Sequence, residues 1–403
     1  MKGSVRKKGA TWSYRIDLGV INGKRSQIER SGYKTKKEAT AAMHEVIYNY
    51  NCTGDYVENK KITFEEVYNE FIEKEAPATR AYATIVRYKS LYKNHLHPAF
   101  GKYYVYQISA SMINDFINEK SICYSEEYVK GFFKFLKVLF SFAYKRKYTK
   151  KNIFSDVIAP PDPRHVGDIR AYSCEELKAM EERLQSTNII VSYYIALNTG
   201  LRESEVFALR WEDIDFENKK IKISKQLLFQ DKKWCFCPLK TKNAYRSVNI
   251  TDSFCNYLKK LKNAHEENKS LYKDGYKRNF VTERLIKNKE KLIEVTDFVN
   301  VKVNGEMLTT NSIKFMSRTI KAELGIDFKF HNLRHTYATI LAESGISPRY
   351  VQEMLGHSKL EFTLRYYTHV TEKMGVIAKN ALESSVTFNQ FTDDNIKPVL
   401  VVN

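Results

Sequence analysis

The chain has 403 residues, of which 43% are hydrophobic and 13% aromatic, enough to bury the cores of two or three domains. Lysine and arginine number 66 against 47 acidic residues, so the net charge of +19 favours a polyanionic partner, either nucleic acid or an anionic membrane surface. No run of 18 apolar residues and no signal-peptide pattern is present, and the six cysteines form no CxxC pair. These features argue against a membrane-spanning or secreted protein and favour a DNA partner in a reducing cytoplasm.

The first 50 residues predict a small basic sheet packed on one helix. Apolar and polar residues alternate over 12–18, Asn22-Gly23 predicts a tight turn, and a second strand follows around 26–30. Thr35, with Glu38 three residues later, is typical of a helix start. Such a sheet is either a merely solvated charged module or a surface for a DNA groove and its phosphates. The candidate DNA-binding side chains are Arg15, Lys24, Arg25 and Arg30.

A region that looks wholly helical follows a break in the pattern at 51–62. Thr63 and Glu66 form a capping-box motif at its start. Basic residues punctuate the predicted helices, so one face could lie along DNA phosphates. Further helices are expected at about 80–95, 109–119 and 126–146.

Residues 157–170 hold three of the eight prolines and form the clearest linker in the chain. The sequence therefore predicts a multidomain α+β protein. It should contain a small basic N-terminal sheet-plus-helix domain, a helical domain, and a mixed, mainly helical last domain with a small antiparallel sheet. The expected boundaries are 1–55, 60–157 and 168–385, followed by a C-terminal tail at 386–403.

Two basic residues in the last domain suggest a phosphate site. Arg202 follows a glycine-bearing turn at the start of a predicted helix, where a guanidinium and the helix amides together suit a phosphate. Lys240 lies between predicted strands at 221–228 and 245–250. A lysine in such a place is usually only solvated, but beside a phosphate it could donate a proton.

Two later segments add polar side chains to this set. His331 and Arg334 are three residues apart, so they share a helix face and can address one ligand. His331 and His335 also mimic a zinc pair, but a zinc-protease helix needs Glu at position 332, which is Asn here. His357 is followed within one helical hairpin by two adjacent tyrosines, Tyr366 and Tyr367.

Taken in this order, the residues resemble the tyrosine recombinase (phage integrase) family, and the layout resembles integrases of conjugative transposons and temperate phages. Each motif alone is weak, whereas the whole ordered set is specific. The resemblance covers nearly the whole chain and is strongest at 195–375. It implies an arm-type DNA-binding domain, a core-type DNA-binding domain and a catalytic domain. The catalytic residues that it implies are Arg202, Lys240, His331, Arg334, His357 and Tyr367.

The resemblance implies a site-specific recombinase that cleaves and rejoins DNA strands through a 3′-phosphotyrosyl link. Tyr367 would be the nucleophile, and Arg202 and Arg334 would clamp the non-bridging phosphate oxygens. Lys240 would be the general acid to the departing 5′-hydroxyl. The scheme needs no metal and no nucleotide cofactor, because protein cations stabilise the phosphate and the phosphotyrosyl bond stores the energy of the broken phosphodiester.

The remaining assignments concern the histidines and the choice of tyrosine. By the same resemblance, His331 would assist proton transfer from the nucleophile and His357 would hydrogen-bond the phosphate. Tyr366 and Tyr367 point about 100° apart on a helix, so only one can face the phosphate. Tyr367-Thr368-His369 matches the family's Tyr-Thr/Ser-His pattern. Some family members have one residue fewer between the histidine that corresponds to His357 and the tyrosine, and that spacing would favour Tyr366.

The resemblance also implies partners. These are double-stranded DNA with core and arm sites, further copies of the chain in a homotetramer on DNA, and accessory DNA-bending and excision-directing proteins. The implied location is the nucleoid of a bacterial cytoplasm. The apolar tail would dock on a neighbouring protomer or within its own chain. Two other functions stay open. A type IB topoisomerase-like enzyme shares the chemistry but does not need the basic N-terminal module. A non-catalytic DNA-binding protein would not need the full set of polar residues.

Overall fold

The computed structural model describes residues 3–21, 24–53, 61–161, 170–285, 289–367, 375 and 379–380. The chain divides into two compact units, Met1–Val166 and Gly167–Asn403. The predicted turn at Asn22-Gly23, most of the linker at 157–170 and the whole C-terminal tail lie outside the described residues. The predicted α+β class is confirmed, with N-terminal strands, a helical middle and a mixed C-terminal region.

The first unit begins with a three-stranded antiparallel sheet in the order β1-β2-β3, packed against one helix. Tyr14, Ile16, Ile28 and Met43 form the buried core of this part. The first strand was not predicted, because its residues are mostly charged and exposed. The elements are β1 (Gly3–Lys8), β2 (Thr11–Ile21), β3 (Lys24–Tyr33) and α1 (Lys36–Thr53).

The rest of the first unit is helical, as predicted. The capping box is formed: the Thr63 hydroxyl accepts from the Glu66 amide at 3.2 Å, and the Glu66 carboxylate accepts from the Thr63 amide at 2.7 Å. The longest helix of this unit, α7 (Glu126–Lys145), buries an aromatic stripe that includes Phe132 and Phe135. π-Helical turns at Phe71–Glu75 and Tyr92–Leu96 follow α2 and α4. The helices are α2 (Phe64–Glu70), α3 (Ala76–Thr79), α4 (Tyr82–Leu91), α5 (His97–Phe100), α6 (Ala110–Cys123) and α7 (Glu126–Lys145).

The second unit has a large core between its helices and sheets, and a small one around Ala338, Val351 and Leu355. None of the described helices is both long and apolar enough to cross a bilayer. The helices are α8 (Cys174–Leu184), α9 (Ile190–Thr199), α10 (Glu203–Val206), α11 (Asp252–Tyr272), α12 (Thr310–Leu324), α13 (Phe330–Glu343), α14 (Pro348–Leu355) and α15 (Glu361–Leu364).

The described strands of the second unit form two small sheets where the sequence predicted one. The order is β4-β5-β8 in one sheet and β10-β9-β7-β6 in the other, where β7 and β9 run parallel. The single strand predicted at 221–228 is split at Ser224, and its two halves join different sheets. The strands are β4 (Ile214–Asp215), β5 (Lys220–Ile223), β6 (Lys225–Gln230), β7 (Lys233–Pro238), β8 (Arg246–Asn249), β9 (Asn279–Glu283) and β10 (Lys291–Val295).

Candidate active site

Two guanidinium groups from separate segments meet at the C-terminal end of α14. Arg334, in the first half of α13, is only 1% exposed, and its Nη2 donates to the Leu355 carbonyl. Arg202 stands at the N-cap of α10, and its Nη2 donates to the Gly356 carbonyl at 3.3 Å. Because Leu355 and Gly356 are consecutive, both arginines are held at the one turn that leads into His357.

Two glycines in left-handed conformation shape this arrangement. Gly200 ends α9 with φ +62°, and its carbonyl accepts from Nη1 of Arg334 at 2.6 Å. Gly356 ends α14 with φ +66°. A Cβ at Gly356 would lie 2.8 Å from the carbonyl oxygen of Asn243, so a side chain there would collide with the loop that follows Lys240. Glycine is therefore required both by the helix ends and by the close approach of this loop.

A buried carboxylate lies behind Arg202. Glu205 is 2% exposed and accepts from Nη1 of Arg202 at 2.8 Å and from Nη2 of Arg246 at 2.9 Å. Burial raises the pKa of Glu205, but the charge and hydrogen bond of Arg246, followed by those of Arg202, lower it overall. Glu205 is therefore ionised and orients its basic neighbours. Arg246 was missed by the sequence analysis, because at the start of a strand it looks like an ordinary surface residue.

Three histidines surround the arginines. The rings of His331 and His335 lie 4.6 Å apart, edge to face. His357 Nδ1 is 3.0 Å from the Thr363 hydroxyl. Burial, followed by the charges of Arg334, Arg202 and Arg246, lowers the pKa of His357 to about 3, and burial lowers the pKa of His335 to about 4. Desolvation and the charges of Arg334 and Arg202 also lower the pKa of His331. All three rings are thus neutral at pH 7 and can accept a proton or a hydrogen bond.

The two adjacent tyrosines have different partners. Tyr366 is 4% exposed, and a 2.7 Å hydrogen bond joins its hydroxyl to Nδ1 of His335. Tyr367 is partly buried, and its hydroxyl donates to the carbonyl of Ile346. Burial raises the pKa of both phenols, so both are protonated at pH 7. In this structure Tyr366 lies closer to the histidines, and Tyr367 must leave the Ile346 carbonyl before it can react elsewhere.

Lys240 does not join the arginines and histidines described above. Its side chain is exposed in the bend after β7, and no hydrogen bond or ion pair holds it within the described part of the chain. The loop that carries it is nevertheless attached to the site, because the Asn243 side-chain amide donates to the His357 carbonyl at 3.5 Å. In the described parts of the protein, no group of three or more His, Cys, Asp or Glu side chains is arranged to hold a metal ion.

The four candidate DNA-binding residues of the N-terminal sheet do not share one face. Arg15 is directly opposite Glu29, and Arg30 is directly opposite the buried Tyr14. Directly opposed residues share a face and successive residues alternate, so Arg15 is on the open face and Arg30 on the face that packs against α1. Lys24 and Arg25 begin β3, and their side chains lie outside the described residues.

Comparison with protein families and known proteins identifies relatives of this chain. A family model described as the phage integrase family matches residues 175–374, an arm DNA-binding domain model matches 4–50, and a phage integrase N-terminal SAM-like domain model matches 63–121. The chain is 30% identical over 400 residues to a protein named tyrosine recombinase XerC-like from Caldanaerobacter subterraneus subsp. tengcongensis, an alignment that covers 92% of this chain and 95% of the relative. It is 26% identical over 360 residues to the integrase of Staphylococcus phage L54a, covering 82% and 95% respectively.

The fold is also similar to solved structures. The integrase of transposon Tn1549 in complex with a circular intermediate DNA aligns with a TM-score of 0.62 at 20% identity, covering 80% of this chain and 99% of that one. A lambda integrase dimer bound to a core site aligns with a TM-score of 0.54 at 17% identity, covering 76% and 95%. The chain therefore belongs to the phage integrase family of tyrosine recombinases, enzymes of site-specific recombination that break and rejoin DNA.

Proposed function

We propose that this chain cleaves DNA at the attachment sites of a mobile element and forms a 3′-phosphotyrosyl intermediate through Tyr367. The observation that carries the proposal is the convergence of Arg334 and Arg202 on the consecutive carbonyls of Leu355 and Gly356. Bidentate guanidinium groups suit the two non-bridging oxygens of a phosphodiester. Arg202 is 36% exposed at its side chain, so DNA can reach it from solvent.

The proposed step exchanges one phosphoester bond for another. The Tyr367 hydroxyl oxygen forms a bond to phosphorus, and the bond to the 5′-oxygen breaks. His331, which is neutral at pH 7, assists removal of the phenolic proton, and Lys240 donates a proton to the departing 5′-oxygen. Arg202 and Arg334 stabilise the charge on the non-bridging oxygens, with a hydrogen bond from His357. Attack by the 5′-hydroxyl of a partner strand reverses the step and joins the strands.

Tyr367 is proposed as the nucleophile in preference to Tyr366 on the strength of its sequence context. Tyr367-Thr368-His369 fits the pattern of the family, and the buried Tyr366 already has a partner in His335. For the reaction, Tyr367 gives up its hydrogen bond to the Ile346 carbonyl and turns towards the phosphate.

The domain boundaries proposed are 1–55 for arm-site binding, 60–157 for core-site binding, 168–385 for catalysis, and 386–403 for the tail. The family matches at 4–50, 63–121 and 175–374 support this division. A basic depression on the helical domain supports core-site binding, because cations from α7 and from the segment before α4 surround it. Its basic lining residues are Arg80, Lys134, Lys137 and Lys145.

The partners follow from the same proposal. Double-stranded DNA is bound at core and arm sites by four copies of the chain, with accessory DNA-bending and excision-directing proteins, at the nucleoid of a bacterial cytoplasm. The apolar tail docks on a neighbouring protomer, and deletion of 386–403 should then weaken assembly of the synaptic complex. Unchanged cooperativity after this deletion would favour docking within the same chain.

A nicked suicide substrate tests the reaction. The wild-type protein should form a covalent adduct with a DNA fragment that carries a genuine core site, and Tyr367→Phe should abolish it. An adduct that survives in Tyr367→Phe but is lost in Tyr366→Phe would transfer the role to Tyr366. Absence of any adduct with the wild type would leave a non-catalytic DNA-binding protein. Joined products from two sites separate a recombinase from a strand-relaxing enzyme.

A further inference from the structure

Arg246 is the residue that connects the separate parts of the site. Its side chain is 5% exposed, although it begins an edge strand of a small sheet. Nε donates to the Met354 carbonyl at 2.6 Å, Nη1 to the Ala244 carbonyl at 3.0 Å, and Nη2 to the Glu205 carboxylate at 2.9 Å. All three guanidinium nitrogens are engaged, so the group is fixed in one orientation.

These three contacts reach three segments of the proposed active site. Ala244 belongs to the loop that carries Lys240, and Met354 lies in the last turn of α14, three residues before His357. Glu205 is the carboxylate that binds Arg202. We infer that Arg246 is a positioning residue for DNA cleavage, which occupies one oxygen of Glu205 and thereby leaves Arg202 free to bind the scissile phosphate. The inference rests on the proposed function.

The physical reason is competition for one buried carboxylate. Oε1 of Glu205 accepts from Nη1 of Arg202 at 2.8 Å, whereas Oε2 accepts from the backbone amide of Arg202 at 3.0 Å and from Arg246. A buried carboxylate must be compensated by charge and hydrogen bonds. Without Arg246, Arg202 would be the main cation left to Glu205. Both of its terminal nitrogens would be drawn to the carboxylate, which removes donors from the phosphate.

The charge balance of the site points the same way. Among the described residues, the carboxylate of Glu205 lies close to three guanidinium groups, those of Arg202, Arg246 and Arg334. All three guanidinium nitrogens of Arg246 donate to protein groups, so Arg246 is assigned a positioning role and no contact with DNA. Its effect on the reaction therefore passes through Arg202 and through the turn before His357.

The experiment measures single-turnover adduct formation and DNA affinity for Arg246→Met, which keeps the length of the side chain but removes the charge. The adduct rate should fall about 10- to 100-fold, while Kd for a core half-site changes by less than about threefold. Arg210→Met is the control: Arg210 is another ion-paired arginine of this unit, less buried than Arg246 and paired with Asp297 at 2.7 Å. Its adduct rate should stay within about threefold of the wild type.

A methylphosphonate linkage at the cleavage position separates positioning from a structural role. This substrate lacks the negative charge that Arg202 neutralises, so Arg202→Met should be less defective on it than on phosphate. Arg246→Met should show the same substrate dependence if it acts through Arg202. A defect of equal size on both substrates would overturn the inference, and so would a wild-type rate on phosphate.

Two further variants keep the test decisive if Arg246→Met folds poorly. Glu205→Gln keeps the shape of the side chain but removes the charge that would draw Arg202 away, so adding it to Arg246→Met should restore part of the adduct rate on phosphate. Arg246→Lys should recover part of the rate by restoring a cation beside Glu205. If Arg246→Lys is no faster than Arg246→Met, the inference fails. Absence of an adduct with the wild type would instead refute the proposed function.

Discussion

Two glutamates in this protein are each shared by several cations, one on the N-terminal sheet and one in the catalytic unit. Glu29 accepts from Arg6 at 2.7 Å and from Arg15 at 2.6 Å on an open sheet face, where both arginines are about half exposed. Glu205 accepts from Arg202 and Arg246 in the protein interior. Both clusters pair one carboxylate with arginine side chains, but the Glu29 cluster is open to solvent whereas Glu205 is buried. Exposed ion pairs contribute little to stability, whereas breaking a buried pair is costly.

The largest effect is expected at the buried guanidinium of the catalytic unit. Arg334→Met should lower the single-turnover cleavage rate by about 10³-fold, because the proposed mechanism uses Arg334 to stabilise the charge on the non-bridging phosphate oxygens. The carbonyls of Gly200 and Leu355 also lose their hydrogen-bond partner. Arg183→Met, which removes an exposed arginine paired with Glu323, is the control and should cleave at the wild-type rate. A loss of less than tenfold for Arg334→Met would contradict its proposed role.

The second prediction compares the two glutamates directly by stability. Glu205→Gln should lower the free energy of unfolding by about 3 kcal/mol, because the buried charge of Arg246 remains without its counter-ion. Glu29→Gln should change the free energy of unfolding much less, because its ion pairs are exposed to solvent. Denaturant unfolding of both variants measures the difference. Equal values would mean that burial does not distinguish the two clusters.

The sequence predicted those parts of the structure that depend on neighbouring residues. The capping box at Thr63 and the helix predicted at 126–146 are encoded by neighbouring residues, and both are confirmed. The strands β9 and β10 were not predicted, because their pairing joins segments separated by a loop and β10 is mostly exposed.

In the site, too, only features that depend on local sequence motifs could be predicted. The ordered motifs indicated which polar residues to expect near one another, and the structure brings Arg202, Arg334 and His357 to one turn. The contacts of Arg246 with Glu205 and Met354 span 41 and 108 residues, so no local pattern reveals them. The hydrogen bond between Tyr366 and His335 is likewise a consequence of packing.

The third prediction concerns pH. The pKa values of His335 and His357 are lowered to about 4 and about 3, below the value of about 6.5 for an unfolded chain. The unfolded state therefore binds more protons below pH 6.5, and the stability that is fully present above this pH is lost as the pH falls. For each histidine, the free energy of unfolding should fall by about 1 to 2 kcal/mol between pH 7 and pH 5.

The N-terminal sheet should behave differently over the same range. Hydrogen bonds from Arg6 and Arg15 lower the pKa of Glu29 to about 2. A lowered carboxyl pKa contributes stability above about pH 4.5, which is lost only as the pH falls towards 2. Unfolding curves of the full chain at pH 7, 6 and 5 measure the dependence. His335→Gln should reduce the slope, whereas an unchanged slope in this variant would show that His335 is not the titrating group.

The smallest effect is expected for DNA binding by the N-terminal sheet. Glu29 lies among Arg6, Lys8 and Arg15, so Glu29→Gln adds a net positive charge and releases three cations on one face. If this face binds DNA phosphates, affinity for an arm site should rise about two- to fivefold at low salt and return to the wild-type value at high salt. Glu45→Gln, an exposed change of the same charge on α1, should have a weaker effect. Weaker arm-site binding by Glu29→Gln would instead mean that the carboxylate itself organises the cations or accepts a hydrogen bond from a base.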